Sequence, residues 1–137
     1  MKLNFTIKGK VKAKQSVKFG RNGTKYTPKD MVEYANLVRM SFINAYPDWH
    51  ACNFEDKHLK VEINVFMPIP KSYSKKKTEQ ALNNEIKPTV KPDCDNIAKN
   101  INDALNGIAY PDDKQIVSLT VNKYYSSSEY VEVKITD

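Results

Sequence analysis

The chain has little of what marks secreted, membrane-spanning or fibrous proteins. Its 137 residues include only two cysteines, Cys52 and Cys94, which excludes a disulfide framework and favours a reducing compartment. No apolar run approaches the roughly 20 residues that a membrane-spanning helix needs. The N-terminus alternates polar and apolar residues from the start, unlike a signal peptide. With four glycines and no internal repeat, a fibrous or low-complexity chain is also set aside. We therefore expect a cytoplasmic protein that does not bind membranes.

What is present is a normal globular composition. Hydrophobic residues make up 40% of the chain and charged residues 28%, which is typical of a folded protein and not of a disordered one. The length suits one domain that buries its own core, and it is too short for two ordinary domains. We therefore treat residues 1–137 as a single domain.

Charge is distributed unevenly along the chain. The net charge is +6, but residues 1–29 contain no acid and residues 71–91 carry six lysines against Glu79 and Glu85. Residues 92–113 reverse this pattern, because they hold five aspartates and only one lysine, Lys99. Such a pattern favours a surface for a polyanion around a site that attracts cations. A basic protein whose charges are merely solvated remains the alternative.

Hydrophobic periodicity and turn residues predict an α+β fold, with a mixed β-sheet and two main helices packed on it. One helix starts at the cap Thr27 and Pro28 and ends near Tyr46-Pro47, and the other ends at Asn106-Gly107. The last two strands are expected to pair as a hairpin through the Ser126-Ser127-Ser128 turn. The predicted elements, in order, are a strand over 3–13, a loop over 14–27, the first helix, a strand over 59–67, a long loop over 68–92 with a short helix near 75–83, a helix over 95–106, and strands over 115–125 and 129–135.

The aspartate-rich stretch has the residue types and spacing of a magnesium site. Asp93 and Asp95 are two residues apart, so in extended backbone both carboxylates point the same way, and a divalent cation would offset their repulsion. Lys99 and Asp103 follow at four-residue intervals on one helical face. The ordinary alternatives are a helix cap at Asp93 or Asp95 and a salt-bridge ladder along this face. Asp112-Asp113 follows the helix, so only the tertiary fold can bring it near Asp93.

A zinc site is a weaker interpretation of the same chain. His50, Cys52, His58 and Cys94 could in principle bind a metal, but their spacing fits no common zinc pattern, and Cys94 lies between two aspartates. The aromatic residues, including Trp49, are mostly expected in the core or sheet, although exposed rings could stack on unpaired bases.

Three blocks in the second half of the chain carry a more specific signal. The run Lys91–Ile116 reads KPDCDNIAKNINDALNGIAYPDDKQI. It closely resembles the signature of RusA-type Holliday-junction resolvases, which are small Mg²⁺-dependent endonucleases common in prophages: K-P-D-x-D-N-x-x-K, then D-A-L-N-G, then D-D-x-Q-[IV]. Residues 67–77 resemble the family's P-x-P-K-S-W-S-K-K-K loop, with Tyr73 at the tryptophan position. Tyr26-Thr27-Pro28 resembles its Y-T-P helix start.

The resemblance implies an activity, a site and partners for this chain, which we expect to be encoded by a prophage. It implies a RusA-like fold that assembles as a homodimer. The dimer would cut four-way DNA junctions by paired nicks, which suits a role in recombination and repair. The cofactor would be Mg²⁺, with Mn²⁺ as a substitute. The stretch over 10–25 lacks most of the arginines often seen in the family, and Lys14, Lys18 and Arg21 supply positive charge there. The implied roles are Asp93, Asp95 and Asp113 as catalytic metal ligands, Lys99 as the essential basic residue, Asp112, Asp103 and Asn96 as supporting residues, and Lys14, Lys18, Arg21, Lys71, Lys75, Lys76 and Lys77 as DNA-binding residues.

Two other functions stay open at this stage. A nuclease of the PD-(D/E)-x-K type would use Pro92-Asp93 and then Asp112-Asp113-Lys114. That class carries its D/E-x-K element on a strand, whereas we expect these residues in a turn, and Lys99 would have no role. The second alternative is a non-catalytic protein that binds branched DNA. Mg²⁺-dependent nicking of a junction distinguishes a nuclease from such a binder.

Overall fold

The computed structural model describes residues 1–12, 18–19, 25–26 and 29–137 of the chain. Short 3-10 turns at Ala51–Phe54 and Asp113–Gln115 precede the fourth and fifth strands. The elements are β1 (Lys2–Lys8), β2 (Lys18–Phe19), β3 (Lys25–Tyr26), α1 (Lys29–Ala45), β4 (Leu59–Pro68), α2 (Lys75–Leu82), α3 (Cys94–Leu105), β5 (Ile116–Ser126) and β6 (Tyr130–Thr136).

The main sheet has four strands in the order β1-β6-β4-β5. Strand β6 is antiparallel to both of its neighbours, whereas β5 runs parallel to β4. A parallel neighbour needs a long crossover connection, and the segment between β4 and β5 contains α2 and α3. Strands β2 and β3 form a separate two-residue antiparallel pair.

The predicted hairpin between the last two strands is wrong. β5 and β6 both pair with β4, one on each side of it. The turn over 127–129 therefore spans about 10 Å across the end of β4, which is two inter-strand spacings. Strand β6 alternates buried Val131, Val133 and Ile135 with partly exposed residues. This pattern suits a central strand as well as a hairpin arm, so the sequence did not distinguish them.

Helices α1 and α3 pack against each other, with α1 also on β1 and α3 also on β5. The buried side chains of β1, β4 and β6 alternate along each strand, which gives the sheet one apolar face toward the helices. Helix α3 contributes Ile97, Ile101 and Leu105, each with 0% exposure. The same helix therefore presents its remaining face, with the charged residues, to solvent.

The α+β prediction is confirmed, including the helix near 75–83, and the element ends differ mainly at the N-terminus. Strand β1 stops at Lys8 because Gly9 follows with a φ of +96°, which strongly favours glycine. The predicted helix cap at Thr27 and Pro28 lies outside the described residues, and α1 is described from Lys29. Within the described residues, no helix combines the length and apolarity required to span a membrane.

Candidate active site on the exposed face of helix α3

Asp93 occupies the N-cap position of α3, but its side chain makes no capping hydrogen bond. Its backbone is extended, with φ −72° and ψ 150°, and Asp95 follows in the first helical turn. Both residues are exposed. The positive end of the helix dipole favours negative charge here, yet the Asp93 carboxylate is not used for capping. It therefore remains available to a ligand.

Lys123 of β5 fixes the loop that leads into α3. Its ammonium donates a 3.0 Å hydrogen bond to the carbonyl oxygen of Pro92 and another to the carbonyl oxygen of Val90. The Cys94 thiol lies 4.0 Å from the carbonyl oxygen of Val121 on the same strand. The backbone around Asp93 is thus attached to edge strand β5 by two side chains, those of Lys123 and Cys94.

The exposed face of α3 continues with Lys99 and Asp103, at the expected four-residue intervals after Asp95. All three side chains are exposed, while Asn96 beside them is half-buried. Asp95 and Asp103 are separated by eight residues, or about 12 Å along the helix axis. Lys99 lies midway between the two acidic ends.

At the C-terminal end of this face, the Asp113 carboxylate interacts with those of Asp112 and Asp103. Partial burial, followed by a side-chain contact with Asp112 and by the charge of Asp103, raises the pKa of Asp113 above its usual range. The pKa of Asp112 is lowered instead, first because the Lys114 backbone amide donates a 3.0 Å hydrogen bond to its carboxylate. The pKa values of these adjacent aspartates are therefore shifted in opposite directions, so that Asp112 is the more readily ionised and ionisation of Asp113 is disfavoured.

The turn that carries Asp113 is held by contacts from several elements. Its backbone amide donates a 3.1 Å hydrogen bond to Asn106 Oδ1, at the end of α3. Tyr110, which is fully buried, donates to the carbonyl oxygen of Asn102 at 2.9 Å. Trp49 Nε1 donates to the carbonyl of Ala109, also at 2.9 Å. The turn that carries Asp113 is consequently held in place by hydrogen bonds from other elements.

Gln115 also holds this turn, because its side chain joins the turn to the segment before β4. Its side-chain amide donates to the carbonyl oxygens of Phe54 at 2.7 Å and Lys57 at 3.1 Å, while its Oε1 accepts from the Asp112 amide at 3.2 Å. The residues of the D-x-K element, Asp112 to Lys114, lie at the cap and start of the 3-10 turn Asp113–Gln115 before β5 and not in a strand. This location agrees with the sequence expectation.

The structure gathers the predicted acidic residues into two groups, one at each end of α3. Asp113 lies against Asp103 and Asp112, whereas Asp93 and Asp95 lie at the other end. Across the described portion of the chain, no three His, Cys, Asp or Glu side chains are grouped closely enough to hold a metal ion. The donors are carboxylate oxygens, which Mg²⁺ prefers, and Mg²⁺ often takes only one or two protein carboxylates. The donor chemistry therefore fits Mg²⁺, and the ligand set of Asp93, Asp95 and Asp113 stays a prediction.

The predicted DNA-binding residues fall into two sets. Lys75, Lys76 and Lys77 form the first turn of α2, whose N-cap Ser74 accepts a 3.1 Å hydrogen bond from the Lys77 amide. Lys71 is exposed just before this helix, and the Lys77 ammonium lies 4.2 Å from the centroid of the Tyr73 ring. Lys14 and Arg21 lie outside the described residues, and for Lys18 the structure describes only its backbone in β2.

Sequence reasoning missed two residues that position the site. Lys123 is one, because its partners are backbone carbonyls more than 30 residues earlier in the chain. Asn100 is the other: it is buried, and its side-chain amide donates a 2.9 Å hydrogen bond to the carbonyl of Lys12. That bond attaches α3 to the start of the basic N-terminal segment. A polar residue within a buried helical stripe was the only available signal for Asn100.

Comparisons with known proteins agree with these observations. A family model described as "Endodeoxyribonuclease RusA" matches residues 8–136 of the chain. An uncharacterized protein of Bacillus subtilis (strain 168), YqaN, is 46% identical over 81 residues, which cover 58% of this chain and 57% of that protein. The match to the family model takes in both acidic ends of α3 and the lysines of α2.

Proposed function

This chain belongs to the RusA endodeoxyribonuclease family, and from that premise we propose that it resolves four-way DNA junctions by paired, Mg²⁺-dependent nicks. The observation that carries the proposal is the exposed face of α3, which presents Lys99 between acidic groups at both ends of one helix. Two further observations support the same interpretation: the turn at Asp113 is held by hydrogen bonds, and the Asp93 carboxylate makes no capping hydrogen bond.

The proposed roles follow from the charge and position of each side chain. Asp93 and Asp95 would hold Mg²⁺ at the N-terminal end of α3 and Asp113 would do so at its C-terminal end, with Asp103, Asp112 and Asn96 in support. When bound, Mg²⁺ would lower the pKa of a water and offset charge on the scissile phosphate. Lys99 stabilises the negative charge that develops on the oxygens of the scissile phosphate in the transition state. The expected products carry 5′-phosphate and 3′-hydroxyl ends.

DNA is held by lysines on α2 and in the preceding loop. The backbone of four-way DNA is polyanionic, so Lys71 and Lys75 to Lys77 bind phosphates without reading sequence. Lys14, Lys18 and Arg21 would add contacts from the N-terminal segment. A homodimer with two identical sites matches the approximate two-fold symmetry of a junction, and each site cuts one strand.

The test is cleavage of a synthetic mobile four-way junction, with and without Mg²⁺ or Mn²⁺, mapped at nucleotide resolution. We expect paired nicks on opposed strands with either metal and none in EDTA. Asp113→Asn should abolish cutting while junction binding is retained. Asp30→Asn, at an exposed position on α1, is the matched control and should cut normally.

Three outcomes would contradict the proposal. Binding without nicking in Mg²⁺ by the unmodified protein would identify a non-catalytic branched-DNA-binding protein. Equal cutting of linear duplex and junction would identify a general nuclease, which is the PD-(D/E)-x-K alternative. Cutting by Asp113→Asn at the parent rate would overturn the assigned ligand set.

A further inference from the structure

An aromatic cavity of about 290 Å³ opens beside the loop that leads into α3. Its walls include Tyr73, Tyr125 and Met67, and Val90 and Lys91 of the loop also line it. We refer to it as the Tyr73–Tyr125 cavity. Its volume lies near the lower end of the range for ligand pockets, about 300–1,000 Å³, so it suits one ring system better than a larger ligand.

The two tyrosine rings form a fixed aromatic corner. Their centroids are 5.9 Å apart at an interplanar angle of 72°, and their hydroxyls share a 3.1 Å hydrogen bond. Tyr125 is buried, with 8% of its surface exposed. The corner is therefore preorganised, and a flat apolar ring can pack against it without first ordering the two side chains.

Charge around the cavity favours an anionic ligand. Lys10 and Lys91 both line it, against the single acid Glu129. The Lys77 ammonium lies over the Tyr73 ring, 4.2 Å from its centroid. An apolar, aromatic interior with an excess of lysines is the chemistry that accepts a base while its phosphates stay near the cations.

The location ties the cavity to the proposed active site. Val90 and Lys91 line the cavity, and Lys91 is followed by Pro92 and Asp93. Lys123 donates hydrogen bonds to the carbonyls of Val90 and Pro92, so the cavity wall and the start of α3 are attached to the same side chain. A base bound here would belong to a nucleotide close to the scissile phosphate.

We propose that the Tyr73–Tyr125 cavity binds one unpaired nucleobase of the DNA strand that is cut. The inference rests on the proposed function, because it takes branched DNA as the ligand. Extruding a base costs least where pairing is already weak, as at a branch point. The cavity thus gives the enzyme a means of preferring junctions to continuous duplex.

The test uses equilibrium binding of a fluorescent four-way junction in EDTA, so it does not depend on cutting. Val90→Trp fills the mouth of the cavity at a side chain that is 57% exposed. We expect it to weaken junction binding by about tenfold, the effect of one lost base-stacking contact. Met40→Trp, at a similarly exposed position on α1 (52%), is the control and should bind normally.

A second arm identifies the base. An abasic nucleotide is moved through each position around the branch point, and at one position the unmodified protein and Val90→Trp should bind equally. Tyr73→Leu, which removes one aromatic wall, should show the same pattern as Val90→Trp: weaker binding than the unmodified protein, except at that one abasic position. Thermal melting checks that both variants are folded.

Two results would overturn the inference. Val90→Trp could bind the junction as tightly as the unmodified protein, or its deficit could persist at every abasic position. Neither result bears on nicking, so the proposed function is judged separately by the Mg²⁺-dependent cleavage of the unmodified protein.

Discussion

The ammonium of Lys123 donates a 3.0 Å hydrogen bond to the carbonyl oxygen of Pro92, the residue immediately before Asp93. A side chain on the edge strand of the sheet thus positions the first residue of the proposed metal site. Because the bond goes to backbone, it fixes the direction in which the chain enters α3 whatever the neighbouring side chains are.

We expect Lys123→Met to lower the cleavage rate by about 10–100-fold, the usual cost of losing a residue that orients metal ligands. The concentration of Mg²⁺ needed for half-maximal rate should rise, because Asp93 and Asp95 are less well placed. Lys123→Arg retains a cationic donor and should restore part of the activity. Rates are measured across a Mg²⁺ titration.

A neighbouring lysine provides the control. Lys87→Met removes an ammonium that lies 4.5 Å from the centroid of the Tyr124 ring on the adjacent position of β5, and it should leave the Mg²⁺ dependence unchanged. If Lys123→Met lowers only thermal stability while its Mg²⁺ titration matches the parent, Lys123 has a structural role alone.

Tyr110 provides a prediction about stability. It is fully buried, and its hydroxyl donates to the Asn102 carbonyl at 2.9 Å, in the last turns of α3. Tyr110→Phe leaves that bond unmade, and we expect it to lower the free energy of unfolding by about 1–2 kcal/mol. Urea denaturation measures the change. An unaltered midpoint would show that water replaces the hydroxyl at no cost.

The opposite pKa shifts of Asp112 and Asp113 give predictions of opposite sign. The pKa of Asp113 is raised by partial burial, then by its contact with Asp112, so its ionisation costs stability as pH rises through the folded-state pKa. In EDTA at neutral pH, Asp113→Asn should therefore raise the melting temperature, by about 1–2 °C. The gain should vanish below the pKa of the unfolded chain.

Asp112→Asn is the matched comparison. The pKa of Asp112 is lowered, chiefly by the Lys114 amide. Its ionised form therefore contributes stability above the unfolded-state pKa, and that contribution is lost as pH falls through the folded-state pKa. We expect this variant to melt below the parent at neutral pH and to match it in acid. Shifts of the same sign for both variants would contradict the charge distribution described at this turn.

Local pattern was enough to predict most of the fold but not the pairing of its strands. The Asn106-Gly107 stop signal predicted the end of α3, which the structure places at Leu105. The neighbours of β6 depend on where the β4–β5 crossover returns, and no local signal encodes that position. The hairpin expectation failed for this reason.

The candidate site divides in the same way. The four-residue spacing of Asp95, Lys99 and Asp103 predicted their common exposed face. That Asp113 would lie against Asp103 depends on contacts distant in sequence, such as Trp49 to Ala109. These contacts involve backbone carbonyls, which every residue carries, so the sequence cannot specify them by residue type.

The lysines of α2 should account for part of the salt dependence of junction binding. Each lysine that neutralises one phosphate contributes about 0.9 to the slope of log K against log salt concentration. Lys76→Ala should therefore reduce that slope by about one and weaken binding to all sequences alike. Lys134→Ala is the control, because its ammonium already lies 3.4 Å from Glu132 and 3.6 Å from Glu62. Lys134→Ala should leave the slope unchanged. A reduced slope for Lys134→Ala alone would contradict the prediction and would indicate that DNA binds the face of the sheet that carries Lys134.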